Sequence, residues 1–175
     1  YLDYFYMESS IIGFYKYDYI LHLEDGRSLK INRSSDSFKG YSLKDVSIVT
    51  RSGTIQHPHA DNIAKSYDII IEYKNGNKDY FKNTSLVDYE LIPKEFKLVA
   101  RQDKFGNVIC YNLMGSLGME IVDTWGRKII LEQTDYGFIW KLPESTAGKT
   151  CEISYHIDQE KPLKLTMVTN QVGCK

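Results

Sequence analysis

The sequence predicts an antiparallel all-β fold, on three observations. Short runs of β-forming residues alternate apolar and polar side chains, which is the period-2 signature of half-buried strands. Turn residues, above all Asp-Gly and Asn-Gly, separate these runs at intervals of roughly 8–12 residues, as in sandwiches and barrels. No 3.6-residue apolar period is sustained anywhere along the chain.

A strand-turn phrase also occurs twice. Tyr17-Asp18-Tyr19-Ile20-Leu21-His22-Leu23-Glu24-Asp25-Gly26 aligns without gaps, fifty residues on, with Tyr67-Asp68-Ile69-Ile70-Ile71-Glu72-Tyr73-Lys74-Asn75-Gly76. The register holds through Lys44/Lys94, Val46/Phe96, Ile48/Leu98 and Arg51/Arg101, and Gly126 keeps the spacing once more. The expected architecture is one domain, 1–175, of antiparallel hairpins in a β-sandwich with internal repeats 17–66, 67–116 and a diverged 117–170. The alternatives are a β-trefoil-like closure, or two small β domains, 1–102 and 103–175.

Taken in order, Leu2–Met7 reads as a strand and Ile11–Leu23 as a second. Tyr15, Tyr17, Tyr19, Leu21 and Leu23 share one face of the latter. A two-residue Asp25-Gly26 loop pairs Leu21 with Lys30 and mixes the faces. A three-residue loop, Asp25-Gly26-Arg27, pairs Leu23 with Leu29 and Leu21 with Ile31, so it is the expected one. The polar stretch Arg33–Asp45 reads as a connection with a helical turn. Val46–Arg51 and Thr54–His57 read as a hairpin about Ser52-Gly53. Then come strands Tyr67–Lys74, Lys78–Lys82, Phe96–Arg101, Val108–Leu113, Met119–Thr124, Arg127–Glu132 and Phe138–Leu142. In the last hairpin Cys151, Ile153, Tyr155 and Ile157 face Leu163, Leu165 and Met167.

At 175 residues the chain buries a sizeable core without a metal or disulfide staple. Its net charge of −1 gives no electrostatic footprint for phosphates, which weighs against nucleic acid as a partner. No stretch reaches the ~20 apolar residues of a membrane helix. A chain that opens at Tyr1 rather than Met is expected to be processed or trimmed. Of 23 aromatic residues, 14 are Tyr, whose apolar ring and wet hydroxyl suit half-exposed strand positions.

His57-Pro58-His59-Ala60-Asp61 is the most suggestive constellation. In an extended segment, alternate residues share a face, so His57, His59 and Asp61 can converge on one divalent metal. The segment resembles the start of the metallo-β-lactamase zinc motif, His-x-His-x-Asp-His, with Asn62 in place of the last histidine. Such a resemblance implies a metal-dependent enzyme or metal-binding protein. Cys110, Trp125 and Cys151 resemble the Cys-Trp-Cys core of immunoglobulin-like sandwiches, which implies a Cys110–Cys151 disulfide; the alternative is two buried thiols.

Tyr6-Met7-Glu8-Ser9, Asp25-Gly26, Thr50-Arg51-Ser52 and Asn75-Gly76 together resemble LytTR-type DNA-binding domains, implying promoter binding with Arg51 as a DNA contact. The Gly-Lys-Thr at 148–150 lacks the upstream glycine of a phosphate loop. No nucleophile elbow or His-Glu-x-x-His motif is present. The leading expectation is therefore a non-enzymatic binding or assembly module, extracellular or in the cell envelope. Its Tyr-rich β surface would recognise a protein or carbohydrate partner without a cofactor. Tyr41, Tyr89 and Tyr136, in connections, are the candidate surface aromatics.

Overall fold

In a computed structural model, the described residues are 5–10, 16–23, 25–32, 35–84, 96–114, 118–143, 151–158 and 164–172. They form strands and turns with no helix among them, and every ladder between them is antiparallel. Tyr89, the start of the first predicted strand at Leu2–Tyr4, the residues Ile11–Tyr15, Leu163 and the segment Ala147–Thr150 lie outside the described residues. The chain divides into two compact units, Tyr1–Gln56 with Asp61–Val108, and His57–Ala60 with Ile109–Lys175.

The strands are, in order, β1 (Phe5–Ser10), β2 (Lys16–His22), β3 (Ser28–Asn32), β4 (Ser37–Phe38), β5 (Val46–Val49), β6 (Gly53–Gln56), β7 (Ala64–Tyr67), β8 (Ile69–Tyr73), β9 (Lys78–Asn83) and β10 (Phe96–Gln102) in the first unit. β11 (Val108–Leu113) begins at the edge of that unit. It runs into the second, followed by β12 (Gly118–Val122), β13 (Lys128–Thr134), β14 (Gly137–Leu142), β15 (Cys151–Asp158) and β16 (Lys164–Val172).

In the first unit β1–β4 form a sheet in chain order, while β10, β9, β8 and β5 are neighbours in that order in another. Leu21, Ile48, Ile71 and Phe81 are almost fully buried between strands of these sheets. Ile69, Ile70 and Ile71 are all buried in succession, so β8 is covered on both faces and departs from simple alternation.

Four hairpin turns share one set of backbone bonds. Gly26, Gly76, Gly106 and Gly126 each donate to the carbonyl three residues back, and each has φ between 80° and 90°. This is a type I turn closed by a residue in the left-handed region, where glycine carries no Cβ penalty. The geometry corrects the expected register of the first hairpin. Glycine must be the third loop residue, so the ladder closes at Leu23, whose amide donates to Arg27 O at 2.8 Å. Leu21 therefore pairs with Leu29 rather than Ile31. The shift is by two, so each side chain keeps its face.

Three other expectations are corrected. Val46–Arg51 and Thr54–His57 do not pair: β5 lies against β8, with Val46 opposite Tyr73, and β6 pairs with β7. The strand expected over Tyr67–Lys74 breaks at Asp68. The Asp68 amide still donates to Phe81 O at 2.8 Å, while its carboxylate accepts the Asn83 amide, the Lys82 ammonium and the Ser52 hydroxyl. In place of a helical turn in 33–45 stands the short β4, paired with β3.

In the second unit each strand from β11 to β16 is paired with the next, a simple meander. Among its described residues, only His57, Cys110 and Val122 are buried.

Candidate functional site

The histidine segment is anchored on the turn after β12. His57 is 3% exposed, and its Nδ1 accepts the His59 amide at 3.2 Å. Its Nε2 therefore carries the proton and donates to Asp123 O at 2.7 Å. The His59 ring stacks on Trp125, with centroids 6.2 Å apart, and the adjacent Gly126 leaves room for the His59 carbonyl. Asp61 is exposed. The three residues are not gathered: among the described residues, no group of three or more His, Cys, Asp or Glu side chains is placed to hold a metal ion.

Asp123 organises this turn. Its carboxylate accepts the amides of Trp125 and Arg127 and pairs with the Arg127 guanidinium. Burial pushes the carboxyl up, but the Arg127 side chain and these amides outweigh it and hold it below the ordinary value of 3.8. A group depressed on folding contributes stability that is complete above its unfolded value and is lost as pH falls through its folded one. Asp123→Ala is thus expected to cost about 2 kcal/mol at pH 7, since bonds to a charged group are removed. The difference from the parent shrinks as pH drops below 4. Urea unfolding at pH 7 and at pH 3 checks this; an equal difference at both would count against it.

Cys110 is buried on β11, and Cys151 is half-buried on β15. Four strand steps of about 4.8 Å separate their strands, roughly 19 Å, whereas a disulfide needs Cα atoms within about 7 Å. They also point to opposite faces: Cys110 stands opposite Val122, and Cys151 opposite Leu142 on the side shared with Trp140. The structure therefore does not bring the pair together. Arg51 and Tyr136 are exposed, while the Tyr41 hydroxyl is bound to Asp45 and Arg27.

The distinctive surface of the second unit is one face of its sheet. Leu131 pairs with Trp140, Trp140 with Ile153, Phe138 with Tyr155, and Tyr155 with Val168. Met119 and Ile121 continue the same face through Leu131 and Ile129. The opposite face is mixed: Ile130 and Ile139 stand among polar pairs, in which Glu120 bonds Asn112 and Lys128, and Lys141 pairs with Glu132 at 2.7 Å. An antiparallel sheet of this pattern ordinarily packs its apolar face on a core. Here Leu131, Phe138, Trp140, Tyr155, Ile157 and Leu165 line an open apolar groove of about 410 Å³, and none of the six is buried.

The groove adjoins β16, the last strand of the sheet among the described residues. From Leu165 to Val172 this strand has no charged residue and no proline. Leu165 is 60% exposed and Val168 52%. The ladder to β15 slips by one residue at Thr166 and is regular beyond it.

No family model, curated protein or solved structure matches the chain. Tyr155, Ile157 and Leu165 are legible in the sequence as positions of the last hairpin, and Leu131, Phe138 and Trp140 as members of expected strands, none of them as a groove. The last hairpin alternates, but alternation marks an apolar face without saying whether anything covers it, and the runs Ile129-Ile130-Leu131 and Phe138-Ile139-Trp140 do not say which face that is.

Proposed function

We propose that the protein is a non-enzymatic binding module that takes an extended, apolar segment of a partner protein as an added strand on β16. The observation that carries this reading is the junction of an uncharged strand edge with an open groove lined by Phe138, Trp140 and Tyr155. Strand edges are normally blunted by Lys, Pro, a bulge or a short length, and beyond Lys164 and the bulge at Thr166 β16 has none of these. A strand added there gains main-chain hydrogen bonds from the edge and drops alternate side chains beside Leu165 and Val168, with Ile157 and Tyr155 one strand further in. Main-chain pairing supplies affinity and the groove supplies selectivity. The Tyr and Trp rings add contact area at little conformational cost.

Selection from a displayed library of seven-residue peptides tests the reading. Binders are expected to alternate apolar and polar residues and to lose at least tenfold in affinity on Val168→Lys and on Leu165→Lys. Both positions are more than half solvent-exposed, so these variants retain the fold and its melting temperature. Peptides without alternation, or binding indifferent to both substitutions, would reject it.

A further inference from the structure

A second cavity lies in the first unit, a polar cleft of about 440 Å³ where the turns after β2 and β8 approach Asp45. Its floor is an ion pair. Asp79 has no exposed surface and accepts Arg101 Nε at 2.7 Å, Arg101 Nη2 at 2.9 Å and the Tyr73 hydroxyl at 2.9 Å. Its wall is a second charged group: Arg27 donates to Asp25 and pairs with Asp45 at 3.1 Å, and Tyr41 donates to Asp45.

The fold does not require this polarity. The two turns have the same backbone bonds, and strand pairing sets Leu21 opposite Leu29 in the first hairpin as it sets Ile71 opposite Asp79 in the second. The first hairpin thus holds Leu23 and Leu29, both buried, where the second holds Tyr73 and Asp79. Apolar residues therefore serve the same backbone. A buried ion pair is often no more stable than apolar residues of similar volume, so stability gives no reason for the charged floor.

The charges along the cleft balance. Asp25, Asp45 and Asp79 stand against Arg27, Lys74 and Arg101, which leaves no net field to attract an ion of either sign. What remains is a dense set of oriented donors and acceptors. The part-exposed Asp25 and Asp45 carboxylates each have about four acceptor sites, and the Lys74 ammonium has three donors at the rim. Mutual pairing holds Asp25, Arg27 and Asp45 in place, so binding need not order them. Planar carboxylates and guanidinia bond adjacent hydroxyls in pairs, and the Tyr73 ring offers an apolar wall.

We propose that this cleft is a binding site for an uncharged, hydroxyl-rich ligand, a neutral saccharide. It is separate from the strand-addition site and stands or falls without it. The test uses the full chain on an array of neutral gluco-, manno- and galacto-oligosaccharides together with sialylated and sulfated glycans, followed by calorimetric titration of the neutral oligosaccharides. A subset of neutral oligosaccharides is expected to bind. The triple variant Tyr73→Leu, Asp79→Leu, Arg101→Met, whose first two changes copy Leu23 and Leu29 of the first hairpin and whose third removes the charge that pairs with Asp79, is expected to fold and to bind at least tenfold more weakly. Because that variant can disturb packing, Lys74→Ala at the exposed rim gives a second reading, with an expected loss of threefold or more at an unchanged melting temperature. The proposal is overturned if no neutral saccharide binds, if sialylated or sulfated glycans bind more tightly, or if the folded rim variant binds as the parent does.

Discussion

Replacing Asp79 with alanine is expected to destabilise the protein by about 3 kcal/mol at neutral pH, among the largest single-residue effects in the first unit. The carboxylate is fully buried and accepts three hydrogen bonds, so its removal takes two bonds and the opposing charge from the Arg101 guanidinium and one bond from the Tyr73 hydroxyl. Breaking a buried pair from one side typically costs about 3–5 kcal/mol, because the surviving charge stays desolvated. The lower end applies here, since the Arg101 side chain is 30% exposed and part of its charge reaches water. The pair as a whole is worth far less than this number. Asp79→Leu combined with Arg101→Met is expected to fall within about 1 kcal/mol of the parent, because apolar groups then replace both ions. A double-mutant cycle by chemical denaturation measures the difference directly. A cost below 1 kcal/mol for Asp79→Ala would mean that the carboxylate is not held as described.

Alternation and turn chemistry made the all-β class legible, and Gly26, Gly76, Gly106 and Gly126 all sit where turns were read. Pairing was less legible, for a physical reason. Asp25-Gly26 announces a turn without saying whether glycine is the second or the third loop residue, and the left-handed φ of Gly26 decides it. Nor does a period of two name a partner. Val46–Val49 crosses to β8, while the polar run Ala64–Tyr67, too weak in apolar residues to read as a strand, pairs with β6. The site was hidden in the same way. His57 looked like a ligand because its neighbours were visible, whereas the carbonyl it bonds lies 66 residues on. Nothing in the sequence between Lys78 and Tyr80 marks Asp79 as buried; the Arg101 opposite it makes it a buried ion. Non-local partners decided both, and they leave no local signature.

Gly137→Ala is expected to cost about 3 kcal/mol or more, and it probes the groove through the backbone alone. Gly137 opens β14 at φ 148°, a conformation disfavoured for residues with a Cβ, and a Cβ built there lies 1.8 Å from Tyr155 O. Backbone, not a movable side chain, is the obstacle. The clash can be relieved only by parting β14 from β15, where Gly137 stands opposite His156. That movement displaces Phe138 and Trp140, so the variant should weaken peptide capture at β16 as well as stability. Gly106 is the control for strain without collision: its φ is 90°, but nothing lies within 4 Å of its Cβ position. Gly106→Ala should therefore cost only the left-handed penalty, about 1 kcal/mol. Denaturant unfolding of the two variants separates the contributions, with the fluorescence of the two tryptophans, Trp125 and Trp140, reporting on the second unit. Equal losses would show that φ, and not the approach of β15, governs Gly137. A larger loss at Gly137 with a shifted tryptophan signal would show that the groove depends on how closely those two strands run.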